Sequence, residues 1–215
     1  MTETYELFSW DKGFEKFQTV RINVPGDGNC LIHALLLAFY KSYIEENIGG
    51  HKISRSNIVK SFRYELAETL KKHTFKGDTS LINPDDNTTV YDRLNNGFFK
   101  NNANEVHEYS LKEMYETLDS SCFLGYVHIP YICDVIQKDV IFIDHNTRDV
   151  YKMGFERDEI TGDIQSSLIK NRDTIVLYYY DDSHYDLVGL KNSDDKISTL
   201  FKPENEFIKF LKSRC

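Results

Sequence analysis

Cys30 closes the turn 25-PGDGN-29 and opens one of the most apolar runs of the chain, 30-CLIHALLLAFY-40. A thiol in the first turn of a helix faces unpaired backbone N–H groups and the positive end of the helix dipole. Both favour thiolate over thiol, so Cys30 is expected to titrate below the free value of about 8.5. The glycines let the backbone turn sharply and let a substrate come close. Successive N–H groups of such a turn can converge on a developing oxyanion. Taken alone, the same pattern also fits an inert cysteine at a helix start.

A nucleophilic thiol needs a base, and the base needs a group that orients it. His184 and Asp186 stand two apart in 183-SHYDLV-188. Residues i and i+2 of a strand project from one face, roughly 6.5–7 Å apart. Asp186 is thus placed to accept a hydrogen bond from one imidazole nitrogen, leaving the other for a thiol. Isolated His-x-Asp pairs arise by chance on surfaces; joined to a turn–Cys–helix, this pair completes a credible triad. His33, three residues past Cys30 on the same buried helix, reads as a satisfied core histidine. Cys122, His128 and Cys133 match no compact metal site, and GDG lacks the GK[ST] of a phosphate loop. His51, His73, His107 and His145 lie in polar contexts and read as surface residues.

These residues need elements to hold them. Residues 17–24, FQTVRINV, alternate at Phe17, Val20, Ile22 and Val24 and predict a strand running into the turn. Residues 30–43 are apolar nearly all round, as in a helix buried in the core. A second helix is predicted over 54–73, capped by Ser54 or Ser56, with Ile58, Phe62, Leu66 and Leu70 repeating at i+4. Residues 76–104 carry GD, NPDDN and NNG and read as loops. Another helix fits 105–119, and a short one fits 129–137 with Pro130 in its first turn. The run 139-DVIFID-144 reads as a buried strand. Residues 145–172 are polar, with a turn at 161–162. Residues 174–190 read as two strands joined at 181-DDS-183. Helices followed by strands with one helix between them predict an α+β or α/β chain.

At 215 residues the chain suits a single domain spanning 1–215, with enough length for a full core. Hydrophobic residues make up 40% and charged residues 28%, the balance of an ordinary globular protein, and 14 Tyr with 14 Phe predict an aromatic core. The net charge of −8 disfavours nucleic-acid binding and suits a partner with exposed Lys or Arg. The start, MTETYELFSW, does not read as a secretory signal, and residues 31–40 are too short to span a bilayer, so no membrane association is expected. Four scattered cysteines without a CxxC fit a reducing, cytoplasmic setting, with Cys215 a terminal free thiol.

The run 27-DGNCLIHAL-35, with HYDLV at 184–188, resembles the ovarian-tumour (OTU) family of cysteine proteases. Residues 124–144 are similar to that family's small-residue segment, short helix and buried strand. Residues 177–188 resemble its closing strand. The resemblance covers roughly 18–190. It implies an α+β, papain-like OTU fold: a small central sheet packed between helices, with the nucleophile at the start of a buried helix. It implies a deubiquitinase in which Cys30 is the nucleophile, His184 the general base and acid, and Asp186 the orienter. Asp27 shapes the oxyanion loop. The N–H groups of Asp27, Gly28, Asn29 and Cys30 hold the oxyanion, and Tyr185 packs beside the cleft as a substrate-binding residue.

No cofactor or metal is implied. The implied partners are ubiquitin or polyubiquitin chains, or ubiquitin-like modifiers, met by a monomer in the cytoplasm, the host's if the chain is viral or a bacterial effector. Alternatives are a protease for a ubiquitin-like modifier, a catalytically silent ubiquitin-binding module and a small-molecule thiol amidase. The chain departs from the family at Leu124-Gly125-Tyr126, where Trp-Gly-Gly is frequent, and at Ile129, where an acid is. The stretch 74–120, commonly part of the family's ubiquitin-docking surface, aligns poorly.

Overall fold

The run DVIFID becomes a strand because every one of its side chains is buried, three on each face of a sheet that is covered on both sides. The computed structural model describes residues 4–72, 111–125, 128–153, 155–157, 164–166, 172–181 and 183–215. Its strands are β1 (Tyr5–Leu7), β2 (Thr19–Ile22), β3 (Asn47–Ile48), β4 (His51–Lys52), β5 (Asp139–Asp144), β6 (Val150–Met153), β7 (Phe155–Arg157), β8 (Ile164–Ser166), β9 (Thr174–Tyr180), β10 (His184–Lys191), β11 (Ile197–Ser198) and β12 (Leu200–Phe201). Its helices are α1 (Cys30–Phe39), α2 (Lys41–Glu45), α3 (Arg55–Lys72), α4 (Leu111–Leu118), α5 (Ile129–Ile136) and α6 (Glu206–Lys212). The class is α+β, with a mixed central sheet between helices.

The main sheet runs β1-β2-β10-β9-β5-β6, with β11 and β12 flanking β10 and β9. Its pairs are antiparallel except β5 with β9. Strand alternation divides the core in two. Val20, Ile22, Val140, Phe142, Ile175, Leu177, Tyr185 and Leu187 meet α1, α3, α4 and α5 on one face. Ile141, Ile143, Val176, Tyr178 and Val188 meet Trp10, Phe14 and helix α6 on the other. Phe14 sits edge-on to both Phe207 and Phe210, which supplies the aromatic core that the composition foretells.

Helix α1 buries all of Cys30 to Ala38. It ends earlier than the predicted 43, because Tyr40 is extended (φ −91°, ψ 99°) and α2 sets off anew. Continuing straight would carry Lys41 along the buried axis; the turn leaves its side chain 82% exposed. Helix α3 matches its predicted bounds, with Ile58, Val59, Leu66, Ala67 and Leu70 buried and Ser54 Oγ accepting from Asn57 N–H at 3.3 Å. Strand β6, inside the polar stretch 145–172, is recruited by pairing with β5. Strand β1 and helix α6 were likewise not foreseen. The expected loops over 76–104, the turn at 161–162 and most of the stretch 74–120 lie outside the described residues.

Candidate active site

Strands β2 and β10 are hydrogen-bonded neighbours, and each delivers one half of the site. Beyond β2, the N–H of Val24 donates to Asp186 Oδ1 at 3.0 Å, so the chain is already tied to β10 before the turn begins. Gly26 then passes beside the base: a Cβ there would lie 3.6 Å from both Nδ1 and Cε1 of His184. Gly28 has φ +83°, and a Cβ on it would meet the Ser121 carbonyl oxygen at 2.9 Å. Only glycine takes that conformation and that approach without strain.

Two side-chain systems brace the turn. Asp27 Oδ1 accepts from Asn29 N–H at 3.0 Å, and its Oδ2 lies 3.2 Å from His33 Nε2. His33 Nδ1 is 2.6 Å from the Tyr43 hydroxyl. A neutral His33 serves both partners, donating from Nε2 and accepting at Nδ1. Burial holds His33 below the ordinary histidine range, against the pull of Asp27. For Asp27 itself, burial acts upward, but the Asn29 N–H and His33 prevail and keep its carboxyl below its usual value. The second brace is Arg63, buried on α3. It donates to Asn29 Oδ1 at 3.0 Å and to the carbonyls of Thr117, Leu118 and Cys122 at 2.5, 3.1 and 3.0 Å.

Cys30 begins α1 and is 1% exposed, with Sγ 3.7 Å from the carbonyl oxygen of Ser183, the residue before His184. Burial pushes its thiol above the ordinary value, helped by the charge of Asp27. The N–H groups of Tyr185, Leu31 and Cys30 oppose this without overcoming it. The expectation of a lowered thiol pKa is therefore corrected: desolvation outweighs the helix terminus. His184 Nε2 meets Asp186 Oδ1 at 3.1 Å, which leaves the Nδ1 edge towards Gly26 and the turn. Asp186 is fully buried, and its Oδ2 lies 3.6 Å from Arg21 Nε.

Thus Asp27, Gly28, Asn29, Cys30, His184 and Asp186 come together, with two amendments. Tyr185 is 1% exposed and lies in the core, stacked on Phe123 and tilted against Tyr179. It supports the site from beneath and offers no face to a substrate, because strand alternation sends it opposite to His184 and Asp186. The N–H of Asn29 is taken by Asp27, so that group is not free for an oxyanion here. His128 and Cys133 are buried apart from the site: His128 Nδ1 is 3.1 Å from the Gly125 carbonyl, and Cys133 donates to Met153 O at 3.1 Å. Among the described residues no group of three or more His, Cys, Asp or Glu is arranged to hold a metal. No helix among them is long and apolar enough to cross a membrane.

Sequence reading missed Arg21 and Arg63. Arg63 stands one position from the apolar stripe of α3, and a cation there reads as solvated. Arg21 occupies a polar place in an alternating strand, which likewise reads as surface.

No family model matches the chain, and neither does any curated protein. Similar solved structures include an ovarian-tumour (OTU) domain in complex with ubiquitin, at 16% identity and TM-score 0.49, covering 92% of this chain and 83% of that one. The Hazara virus OTU bound to ubiquitin shows 14% identity and TM-score 0.44, covering 89% and 97%. An OTU deubiquitinase from Wolbachia pipientis wMel bound to ubiquitin shows 13% identity and TM-score 0.40, covering 83% and 98%. All three are OTU domains, the family that the sequence motifs resemble.

Proposed function

We propose that this chain is a thiol hydrolase that cleaves the bond after the C-terminal glycine of ubiquitin, working through Cys30, His184 and Asp186. The observation that carries the reading is the division of the His184 ring. Nε2 is engaged by Asp186 at 3.1 Å, and the Nδ1 edge is turned to the loop that bears Cys30. That tautomer, with hydrogen on Nε2, leaves Nδ1 as a proton acceptor.

Burial keeps the thiol protonated near neutrality, so proton removal accompanies attack instead of preceding it. Nδ1 takes the proton of Cys30 as Sγ bonds to the glycine carbonyl carbon. The carbonyl oxygen gains charge opposite the N–H groups of Cys30, Gly28 and Asp27. The imidazolium proton then passes to the departing lysine amine as the C–N bond breaks, leaving a thioester. Water, deprotonated by the same nitrogen, attacks the thioester, releasing the glycine carboxylate and restoring the thiol. No cofactor takes part. Ubiquitin is the ligand in the similar structures above and is the substrate to test first; the chain's net charge of −8 suits a tail that carries arginines.

The test is incubation with ubiquitin bearing a C-terminal electrophile, alongside probes built on ubiquitin-like modifiers. Covalent labelling of the wild type, lost in Cys30→Ala and abolished or nearly so in His184→Ala, is expected. A folded protein that no probe labels would defeat the proposal. Labelling by a modifier probe alone would keep the chemistry and change the substrate.

A further inference from the structure

The cation that faces the buried carboxylate has no part in the chemistry above, yet its position is closely defined. We propose that Arg21 is a positioning residue: it fixes the tilt of the Asp186 carboxylate and so keeps an acceptor oxygen in line with His184 Nε2, the nitrogen that carries the proton. The inference rests on the reading of His184 as the base.

Asp186 is fully buried, and its two oxygens are unequal. Oδ1 takes both the Val24 N–H at 3.0 Å and His184 Nε2 at 3.1 Å. Oδ2 has no hydrogen bond of ordinary geometry among the described residues, although the Tyr180 hydroxyl interacts with the carboxylate, and Arg21 Nε, 3.6 Å away, is likewise without one. A buried carboxylate oxygen is costly unless an opposite charge faces it. Arg21 is the group that supplies that charge. A half-turn of the carboxylate only exchanges two equivalent oxygens, so what the cation fixes is the tilt of the carboxylate plane.

Arg21 is itself fixed from three strands. On β2 it stands directly across from Glu6 of β1 and Val188 of β10, which makes Asp186 its diagonal neighbour on the same sheet face. Its Nη2 meets Glu6 Oε1 at 2.5 Å. Its guanidinium lies 5.1 Å from the Tyr180 ring centre and 5.7 Å from that of Tyr178. His184 is edge-on to Tyr180 at 5.2 Å, so the same tyrosine backs the cation and the base. The charged and titratable groups around Asp186 are therefore Glu6, Arg21, Tyr178, Tyr180, Asp181 and His184. Among them Arg21 is the permanent cation beside the carboxylate. Without it only Val24 N–H, His184 and the Tyr180 hydroxyl hold the carboxylate, which is then free to tilt and to loosen its grip on Nε2–H.

The experiment reads the ring nitrogen 15N shifts of His184 and, separately, turnover of a fluorogenic ubiquitin C-terminal amide. Wild type shows the Nε2–H tautomer alone. In Arg21→Met both tautomers are populated, and kcat falls about tenfold with KM unchanged, a loss in keeping with removal of one orienting interaction. Arg21→Lys restores most of both. Should the methionine variant not fold, Arg21→Gln, which keeps a donor without the charge, is expected to give the same mixing. A folded, uncharged variant with the wild-type tautomer and kcat would overturn the proposal while leaving the activity standing. A wild type that turns over no ubiquitin substrate, with tautomer mixing still seen in the variant, would overturn the activity and leave the placement of Arg21 standing.

Discussion

Asp186→Asn and Asp186→Ala separate the roles of two carboxylate oxygens that lie side by side. In the asparagine variant the amide has two orientations. With its oxygen in the place of Oδ1 it still accepts from Val24 N–H and His184 Nε2, and its NH2 faces Arg21 Nε across 3.6 Å. Turned over, it sets two donors against donors at 3.0 and 3.1 Å. The first orientation wins, because one distant mismatch costs less than two close ones. The tautomer of His184 is then preserved, and only the negative charge behind the imidazolium is lost. That loss is worth about 1.4 kcal/mol, or tenfold in kcat. Alanine removes both acceptor bonds, each worth about 1.5–3 kcal/mol to an ionised group, and strands the Val24 N–H in the interior. Its stability therefore falls by about 3–5 kcal/mol, as for other broken buried charge pairs. Its kcat falls at least a hundredfold, towards the roughly 10⁴-fold loss that follows when a catalytic histidine takes the wrong tautomer. The assay is turnover of a fluorogenic ubiquitin amide at 25 °C, with urea unfolding of each variant alongside. Equal impairment of the two variants, or an alanine variant close to wild type, would refute the single-oxygen argument.

Gly28→Ala is expected to destabilise by about 2 kcal/mol or more, because it adds a backbone clash with Ser121 to the cost of a positive φ. Gly49→Ala, where φ is +58° and no atom lies within 4 Å, should show the conformational cost alone, about 1 kcal/mol; urea midpoints compare them, and equal losses would count against the close approach. His128 is held down to about 4 by burial, while the unfolded chain protonates near 6.5. The unfolded state thus binds more protons between those values, and stability contributed above pH 6.5 is lost as pH falls towards 4. Between pH 7 and 5 the wild type should lose roughly 2 kcal/mol more than His128→Asn, from the separation of the two pKa values; equal losses in both proteins would refute it. Iodoacetamide alkylation of Cys30, followed peptide by peptide, should keep rising through pH 9, since burial raises the thiol; a plateau below pH 8 would show a preformed thiolate instead.

Which residues meet at the site was more legible in the sequence than what surrounds them. That Cys30, His184 and Asp186 would meet was legible because a turn–Cys–helix and a strand His-x-Asp, each ambiguous alone, occur together, and β5 was legible because its six consecutive residues read as a buried strand. Strand β6 was not, since a polar strand forms only when a partner such as β5 offers it a ladder. Arg21 and Arg63 were illegible for a related reason: a lone cation has no periodicity, and its buried partners are carbonyls and a carboxylate far along the chain. Tyr185 is different. Strand alternation already required it to point away from His184 and Asp186, and the rule that joined those two could have sent the tyrosine to the core. The thiol pKa was misjudged because helix position can be read from a motif, whereas depth beneath the surface cannot.

The bond from Val24 to Asp186 joins residues 162 positions apart and sits at the root of the site. During synthesis, strand β2 and the nucleophile turn leave the ribosome long before β10 does. Until β10 pairs with β2, the thiol has neither base nor carboxylate, and Val24 has no acceptor there. On the proposed reading, the nascent chain therefore lacks the assembled site, which comes together in one step with the closing of the sheet.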